Sequence, residues 1–286
     1  MSELRVGIIG VGLIGKAHGA TLAQTEGARL VATADVVPGR AEYLDWREML
    51  EREHLHAVLV CTPPLHHREP AVASVERGVA VYLEKPIAAE LEEAGDIATR
   101  AEQSGVVCAI GYQYRALELP TGLRPRALLG RGLSDAVDRP WFGDPAQGGS
   151  QILERASHLI DLQRALAGEV ERVAGVEQSG VVSLALAFAS GVLGTIIVGC
   201  VPGGPGWSLD VVCDDGTVPI ELDPEPPPFR TSLQRFLRAV RLGDPASVFC
   251  PLEEGVATLE VALACERAVQ SGETIALGSG RSRRKV

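Results

Sequence analysis

A chain of 286 residues is long for one core, and two domains are the better expectation. Apolar residues make up 46% and charged residues 22%, a globular composition that excludes intrinsic disorder. The net charge of −10 argues against nucleic acid and anionic membrane surfaces, and no apolar run reaches the length of a membrane span.

In chain order, the N-terminus passes through Glu3 and Arg5 into an apolar strand over Leu4–Ile9, with no signal-peptide architecture. A helix follows over Leu13–Ala23, with a core-facing stripe of Leu13, Ile14, Ala17, Thr21 and Leu22. Strands are predicted at Ala28–Ala34, Ala57–Cys61, Val79–Leu83 and Val106–Ile110, and a helix at Ala89–Gln103, stopped near Gly105. Strands alternating with helices imply a doubly wound parallel sheet. Only six residues separate Asp35 from Glu42, too few for a parallel crossover. The second crossover helix is therefore expected to be missing, with Trp46–Glu51 opening the next one and the adenine side of any dinucleotide pocket left open.

Gly10-Val11-Gly12-Leu13-Ile14-Gly15 falls between the first strand and the first helix. Gly10 permits the tight turn, Gly12 lets a pyrophosphate approach the backbone, and Gly15 allows close packing of helix on strand. The N–H groups and dipole at the helix start, at Leu13 and Ile14, attract phosphate. Asp35 lies 20 residues beyond Gly15 at the end of the second strand, placed to accept from ribose hydroxyls and to repel a 2′-phosphate. That pattern predicts NAD rather than NADP, with Arg40 close enough to bear on the choice.

Only three lysines occur (Lys16, Lys85, Lys285), against 24 arginines by subtraction from 27 basic residues. Lys85 follows the apolar run Val79–Leu83 within Glu84-Lys85-Pro86, at the carboxyl end of a strand, where open α/β sheets hold ligands. By position it reads equally as a surface lysine beside a turn proline or as an ammonium that binds an oxygen or takes part in proton transfer.

The second region begins near Ala116, so the expected domains are 1–116 and 117–286. Leu117–Pro125 is read as a connection into a short helix around Arg126–Leu129. A helix is predicted over Gly148–Leu166, with Ser150 as its cap and Ile152, Leu153, Ala156, Leu159, Ile160 and Leu166 on the apolar face. Glu154, His158 and Asp161 share another face. Their spacing reads first as an exposed polar stripe, and otherwise as a carboxylate that orients an imidazole one turn away. Antiparallel strands follow, Val181–Phe188 with Val192–Val201 and Trp207–Cys213 with Thr217–Leu222, the second pair flanking Asp214-Asp215-Gly216. Pro224–Pro228 is a stiff linker, and Ser232–Leu242 and Leu252–Gln270 are amphipathic helices. This region is α+β on an open, mostly antiparallel sheet. Val182, Leu184 and Leu186 on one alternation and Val181, Ala185 and Ala187 on the other make both of its faces apolar, so a homodimer or homotetramer through this sheet is expected.

The six cysteines form no C-x-x-C and no metal-like cluster with histidine, which points to reduced thiols in a cytoplasmic protein without a metal site. The basic ending Arg-Ser-Arg-Arg-Lys-Val reads as a solvated tail.

Taken together, the chain resembles the glucose–fructose oxidoreductase/inositol dehydrogenase (Gfo/Idh/MocA) family over nearly its whole length. The resemblance is carried by Gly10-x-Gly12-x-x-Gly15, Thr62-Pro63-Pro64-x-x-His67, Glu84-Lys85-Pro86, Gly111-Tyr112-Gln113-Tyr114-Arg115, Gly148-Gly149 and Glu154-x-x-x-His158-x-x-Asp161. It implies an NAD-dependent oxidoreductase acting on a secondary alcohol of a sugar, cyclitol or similar polyol. It implies further that Lys85 sits beside the reacting carbon, that His158 is the general acid/base oriented by Glu154, and that Glu84 faces the nicotinamide. By the same resemblance Thr62, Pro63 and His67 line the cofactor, Tyr112, Gln113, Trp141 and Asp161 lie near the substrate, and the Lys85-Pro86 bond is cis. Arg115 would tie the two domains, while His18, His54, His56 and His66 match no catalytic position and read as surface or packing residues. The chain departs from the pattern in carrying Glu154 where many members have Asp, in Arg155 beside it, and in a short stretch Gly132–Asp144. A shallow substrate pocket, or one completed by another subunit, follows. The family also contains nicotinamide-binding regulators and NAD-dependent glycosidases, and these are the competing readings.

Overall fold

The computed structural model describes residues 3–135, 150–223 and 227–278, which divide into two compact units. The first contains residues 3–117 and 227–257. Its strands β1 (Leu4–Ile9), β2 (Ala28–Ala34), β3 (Ala57–Val60), β4 (Ala80–Leu83) and β5 (Cys108–Ile110) form one parallel sheet in the order β2-β1-β3-β4-β5. The order reverses direction between β1 and β3, the switch point at which such sheets open a crevice. Helices α1 (Leu13–Leu22), α2 (Trp46–Arg52), α3 (Arg68–Glu76) and α4 (Leu91–Ser104) connect the strands, and α4 is stopped by left-handed Gly105.

The expected stripe on α1 is corrected. Leu13 and Ala17 are exposed, and the buried line is Gly15, His18 and Leu22. Glycine and histidine add little to an apolar stripe, yet Gly15 is where the helix meets the Gly10 backbone, one residue past β1. The missing crossover is observed. Between β2 and α2 there is no helix, and Tyr43 makes a single parallel bridge beside Ala34, its N–H donating to the Thr33 carbonyl.

The linear division at residue 116 is also revised. Helix α6 (Pro228–Leu242) returns to the first unit, where Leu233, Phe236 and Leu237 pack against Leu4, Val6, Ile8, Leu59 and Tyr82. Chain order placed this helix with the second domain, but its apolar face belongs to the first core. Arg115 likewise pairs inside this unit, with Glu254 at 2.9 Å.

The second unit contains residues 118–135, 150–223 and 258–278. Strands β6 (Pro125–Ser134), β7 (Val170–Gln178), β8 (Val181–Phe188), β9 (Leu193–Cys200), β10 (Gly206–Cys213), β11 (Gly216–Glu221) and β12 (Ile275–Ala276) form one mixed sheet. Its order is β11-β10-β6-β9-β8-β7-β12, antiparallel except for β6 with β9. The short helix expected around Arg126–Leu129 is part of strand β6. Its inward positions are Leu128, Gly130 and Gly132, and the two glycines hid the apolar alternation. They have a packing reason, since a methyl at Gly130 would stand 3.0 Å from Gln163 of helix α5 (Ser157–Ala167). Helix α7 (Leu252–Ser271), within which the two units divide, brings Val269 against Gly175 of the same face. The opposite face carries exposed Leu129, Val176, Leu193 and Ile197. Among the described residues no helix is long and apolar enough to cross a membrane.

Candidate functional site

In the first unit the strands end in register. Ala34, Ile9, Val60, Leu83 and Ile110 are consecutive partners across the sheet. The next residue of each strand therefore forms a row along the carboxyl edge, Asp35, Gly10, Cys61, Glu84 and Gly111. The sequence motifs thus share an edge because each sits one step past a strand.

Gly10 has φ +91°, and a side chain there would meet the Cys61 and Thr62 backbone at 2.7–2.8 Å. Helix α1 begins at the extended cap Gly12 with no side-chain cap, and its first turn carries no acidic residue. A Cβ at Gly12 would meet nothing within 4 Å. An uncapped helix start with open space over its cap glycine suits a diphosphate: the orphan N–H groups and dipole face it, and no carboxylate competes. Gly15 is closed, since any Cβ there would strike the Gly10 carbonyl oxygen. Asp35 joins this cradle directly. Its Oδ2 accepts the Val11 N–H at 2.7 Å and its Oδ1 the Val37 N–H at 2.9 Å, while Arg40 lies 3.7 Å from Oδ1. Leu13 is exposed and Ile14 half-buried at the helix mouth.

Thr62 and Pro63 are half-buried after β3. His67 is fully buried, its Nε2 2.7 Å from the Thr62 carbonyl and its Nδ1 3.3 Å from that of Ile87. Burial lowers its pKa against the raising effect of those carbonyls, so a neutral ring donating to Thr62 is favoured. Its ring therefore holds the loop that bears Thr62 and Pro63 rather than presenting itself at the edge.

Glu84 and Lys85 follow β4, and the Lys85-Pro86 bond is cis. Glu84 is buried, and Gly111 leaves it room, a Cβ there standing 3.1 Å from both carboxylate oxygens. Burial alone would raise the Glu84 carboxyl. The hydrogen bond and charge from His18, followed by the Lys85 ammonium, outweigh it and hold the group below its usual range, ionised. The His18 bond, Nε2 to Oε1 at 2.8 Å, involves a fully buried ring that sequence reasoning set among surface and packing residues. One signal for it existed: His18 is three residues beyond Gly15, on the helix face that the glycine commits to the sheet. Tyr112 is fully buried and Gln113 half-buried in the turn after β5.

In the second unit the residues expected on an exposed helix face are enclosed, which corrects that reading. Glu154 and Asp161 are buried and His158 is half-buried. The helix over this region is not uniform. Ile152–Ala156 is a π turn, closed by the Ser157 N–H donating to the Ile152 carbonyl five residues back, and only from Ser157 does α-helix run. The wider turn moves Glu154 off the line an α-helix would give it relative to His158, and such turns recur at functional sites. Ser150 caps the start as expected, its Oγ accepting the Leu153 N–H at 3.0 Å. Arg155, also buried, donates to Ser134 Oγ and the Asp135 carbonyl, both at 2.9 Å, at the end of β6. Asp161 accepts from the Thr258 hydroxyl at 3.0 Å, and Arg164 donates to the same hydroxyl, so this carboxylate joins α5 to α7. The His158 ring stands edge-on to Trp207, centroids 6.0 Å apart, with the indole seated on Gly132. Trp141 lies outside the described residues. No cluster of three potential metal ligands occurs among the described residues.

Comparison with known proteins places these features. Residues 4–112 match the oxidoreductase-family NAD-binding Rossmann fold of GFO/IDH/MocA proteins, and residues 126–219 match the GFO/IDH/MocA C-terminal domain. The chain is 26% identical over 227 residues to a Bacillus subtilis protein named scyllo-inositol 2-dehydrogenase (NAD(+)), covering 68% of this chain and 66% of that one. It is 29% identical over 252 residues to levoglucosan dehydrogenase of Pseudarthrobacter phenanthrenivorans, covering 75% and 63%. The chain thus spans slightly less than two thirds of either relative. A solved Lactobacillus casei scyllo-inositol dehydrogenase with bound NAD(H) and scyllo-inositol superposes with a TM-score of 0.85, covering 96% of this chain and 99% of that one. At 18% identity, that likeness is one of fold.

Proposed function

Because this chain belongs to the Gfo/Idh/MocA family of oxidoreductases, we propose that it is an NAD-dependent dehydrogenase of a secondary alcohol in a sugar, cyclitol or similar polyol. The observation that carries this reading is the in-register row at the sheet edge. It sets Asp35, the open Gly12 cradle and the Glu84-Lys85 pair along one line of strand ends.

The cradle of Gly10, Gly12, Leu13, Ile14 and Gly15 would hold the diphosphate, with Asp35 at the adenosine ribose and Thr62, Pro63 and Glu84 further along the edge. Once bound, the nicotinamide supplies a hydride acceptor at its ring carbon. The chain's own residues supply the rest. Lys85 would bind the hydroxyl and stabilise the developing alkoxide, and His158 would take the proton with Glu154 orienting its ring. General acid–base help of this kind contributes about a hundred- to ten-thousand-fold. Gln113 is the proposed substrate contact in the first unit. Tyr112 and Asp161 are enclosed, and their proposed part is to support the residues that touch substrate. NADH formation with a panel containing scyllo-inositol, myo-inositol and levoglucosan tests the reading. NAD bound without reduction by any polyol would favour a regulator. Cleavage of an aryl glycoside without net NADH would favour a glycosidase.

Cofactor choice follows from Asp35. Its carboxylate opposes a 2′-phosphate, so NADH is expected to bind at least about tenfold more tightly than NADPH, or about 1.4 kcal/mol. Fluorescence titration with both reduced cofactors measures this. Equal affinities would show that Arg40, already 3.7 Å from Asp35, turns to the phosphate and overrides the carboxylate.

We further propose a homodimer or homotetramer joined through the second unit's sheet. Leu193 and Val176 are 61% and 67% exposed on the face that α5 and α7 leave bare. An apolar face of this kind pairs with itself in a closed assembly. Light scattering at micromolar concentration should give at least twice 30.2 kDa. A clean monomer would end the interface idea. None of the six cysteines, all of them among the described residues, forms a disulfide, which supports a reducing compartment, the cytoplasm.

A further inference from the structure

The one fully buried histidine of α1 has a polar partner 66 residues away at the reactive end of β4. His18 has no exposed surface, and its Nε2 lies 2.8 Å from Glu84 Oε1. Its ring lies on Phe229 of α6 with centroids 4.1 Å apart and edge-on to Tyr82 at 5.0 Å. Tyr82 is in turn fixed through its hydroxyl to Ser232 Oγ at 3.0 Å. The imidazole thus packs against two aromatic rings. Its Nδ1 is enclosed without a hydrogen-bond partner. Since Glu84 is ionised and can only accept, the bond between them is donated by Nε2–H of His18.

The other short-range contacts of the Glu84 carboxylate are weaker. Its other oxygen accepts the Lys85 main-chain N–H at a long 3.2 Å, and the group lies close against Gly111, which offers it no donor side chain. A buried carboxylate with one short bond and one long one takes its direction from the short one.

From this arrangement we propose that His18 is a positioning residue. It holds the Glu84 carboxylate, and through it the Lys85 turn, in the place required by the nicotinamide half of the cofactor. The role rests on the dehydrogenase reading above. His18 then couples the helix whose start would grip the diphosphate to the turn that would face the nicotinamide. One bond sets the distance between the two halves of the cofactor site.

The test separates those halves. ADP-ribose carries the diphosphate and adenosine but no nicotinamide, whereas NADH carries all three. Four variants are compared with the wild type by NADH fluorescence titration and ADP-ribose calorimetry. His18→Phe keeps a ring between Tyr82 and Phe229 but removes the donor. His18→Gln returns an amide N–H near the Nε2 position. The third is Glu84→Gln, and the fourth combines it with His18→Phe. His18→Phe should weaken NADH about tenfold and leave ADP-ribose within about twofold, since the diphosphate is held by backbone at Gly10–Gly15. His18→Gln should recover most of the loss. The double variant should bind NADH no more weakly than Glu84→Gln alone, because the histidine would act only through that carboxylate. Equal loss of both ligands in His18→Phe, or no loss of either, would overturn the role and leave His18 as packing. Additive losses in the double variant would also overturn it. A wild-type protein that binds neither ligand would sink the dinucleotide reading and this proposal together, whereas one that binds both but oxidises no polyol would sink only the substrate reading.

Discussion

Replacing Lys85 by alanine should lower turnover on the best polyol by about a thousandfold or more while changing NADH affinity less than about twofold. The size follows from two losses at one atom. Removing a donor aimed at a developing oxyanion costs about a hundred- to a thousandfold, and loss of help with the proton adds to it. The selectivity follows from where the grip on the cofactor lies. The diphosphate cradle is backbone, and Asp35 is fixed by the Val11 and Val37 N–H groups. The Lys85 main-chain N–H donates to Glu84 Oε2, a bond that alanine retains. With the ammonium gone, the His18 bond still holds the Glu84 carboxyl low. Lys85→Arg should not rescue, because a planar fork cannot replace a compact ammonium beside a single oxygen. Stopped-flow hydride transfer together with NADH titration checks both halves. A Lys85→Ala enzyme with normal kcat would remove the residue from the mechanism. One that has also lost NADH would mean that the side chain, not the backbone, carries the cofactor.

What was legible in the sequence is what local backbone chemistry dictates. The strand–glycine–helix passage at Gly10–Gly15, the acidic end of β2 and the stop at Gly105 each depend on residues a few positions apart, and they stand where expected. The absent crossover was legible for the same reason, because chain length alone forbids it. Features that rest on distant packing were not legible. Helix α6 joins the first core only because Phe236 and Leu237 meet strands more than 150 residues earlier in the chain. The π turn at Ile152–Ala156 breaks the 3.6-residue periodicity on which the reading of Glu154, His158 and Asp161 relied. His18 read only as a surface or packing residue because its partner lies at the far end of another strand. Each miss falls where a side chain's role depends on an element remote in sequence.

The three glycines of the cradle make a sharper test of the cofactor site than its side chains, because their surroundings differ. Gly12 has φ −74°, open to any residue, and a methyl there would touch nothing within 4 Å. Gly12→Ala should therefore fold normally, with a melting temperature within about 2 °C of the wild type, since a free surface methyl changes stability by about 0.5 kcal/mol or less. Yet it places a methyl group where the diphosphate must approach the backbone, so NADH affinity should fall at least about tenfold. Gly15 is the opposite case. It lies within α1, where alanine would ordinarily be worth about 1 kcal/mol over glycine. Here the added carbon would strike the carbonyl oxygen of Gly10, a backbone atom fixed by the turn and unable to swing aside as a side chain could. Overpacking against a rigid partner costs about 1–3 kcal/mol, which exceeds the helix gain. Gly15→Ala should melt several degrees lower and bind NADH poorly because α1 is displaced from β1. Scanning calorimetry and NADH titration on the two variants separate the cases. A Gly12→Ala protein with unaltered affinity would show that the diphosphate is not held over that glycine. A Gly15→Ala protein that melts higher would show that α1 has room to move off the strand end, and the close packing assigned to Gly15 would fail.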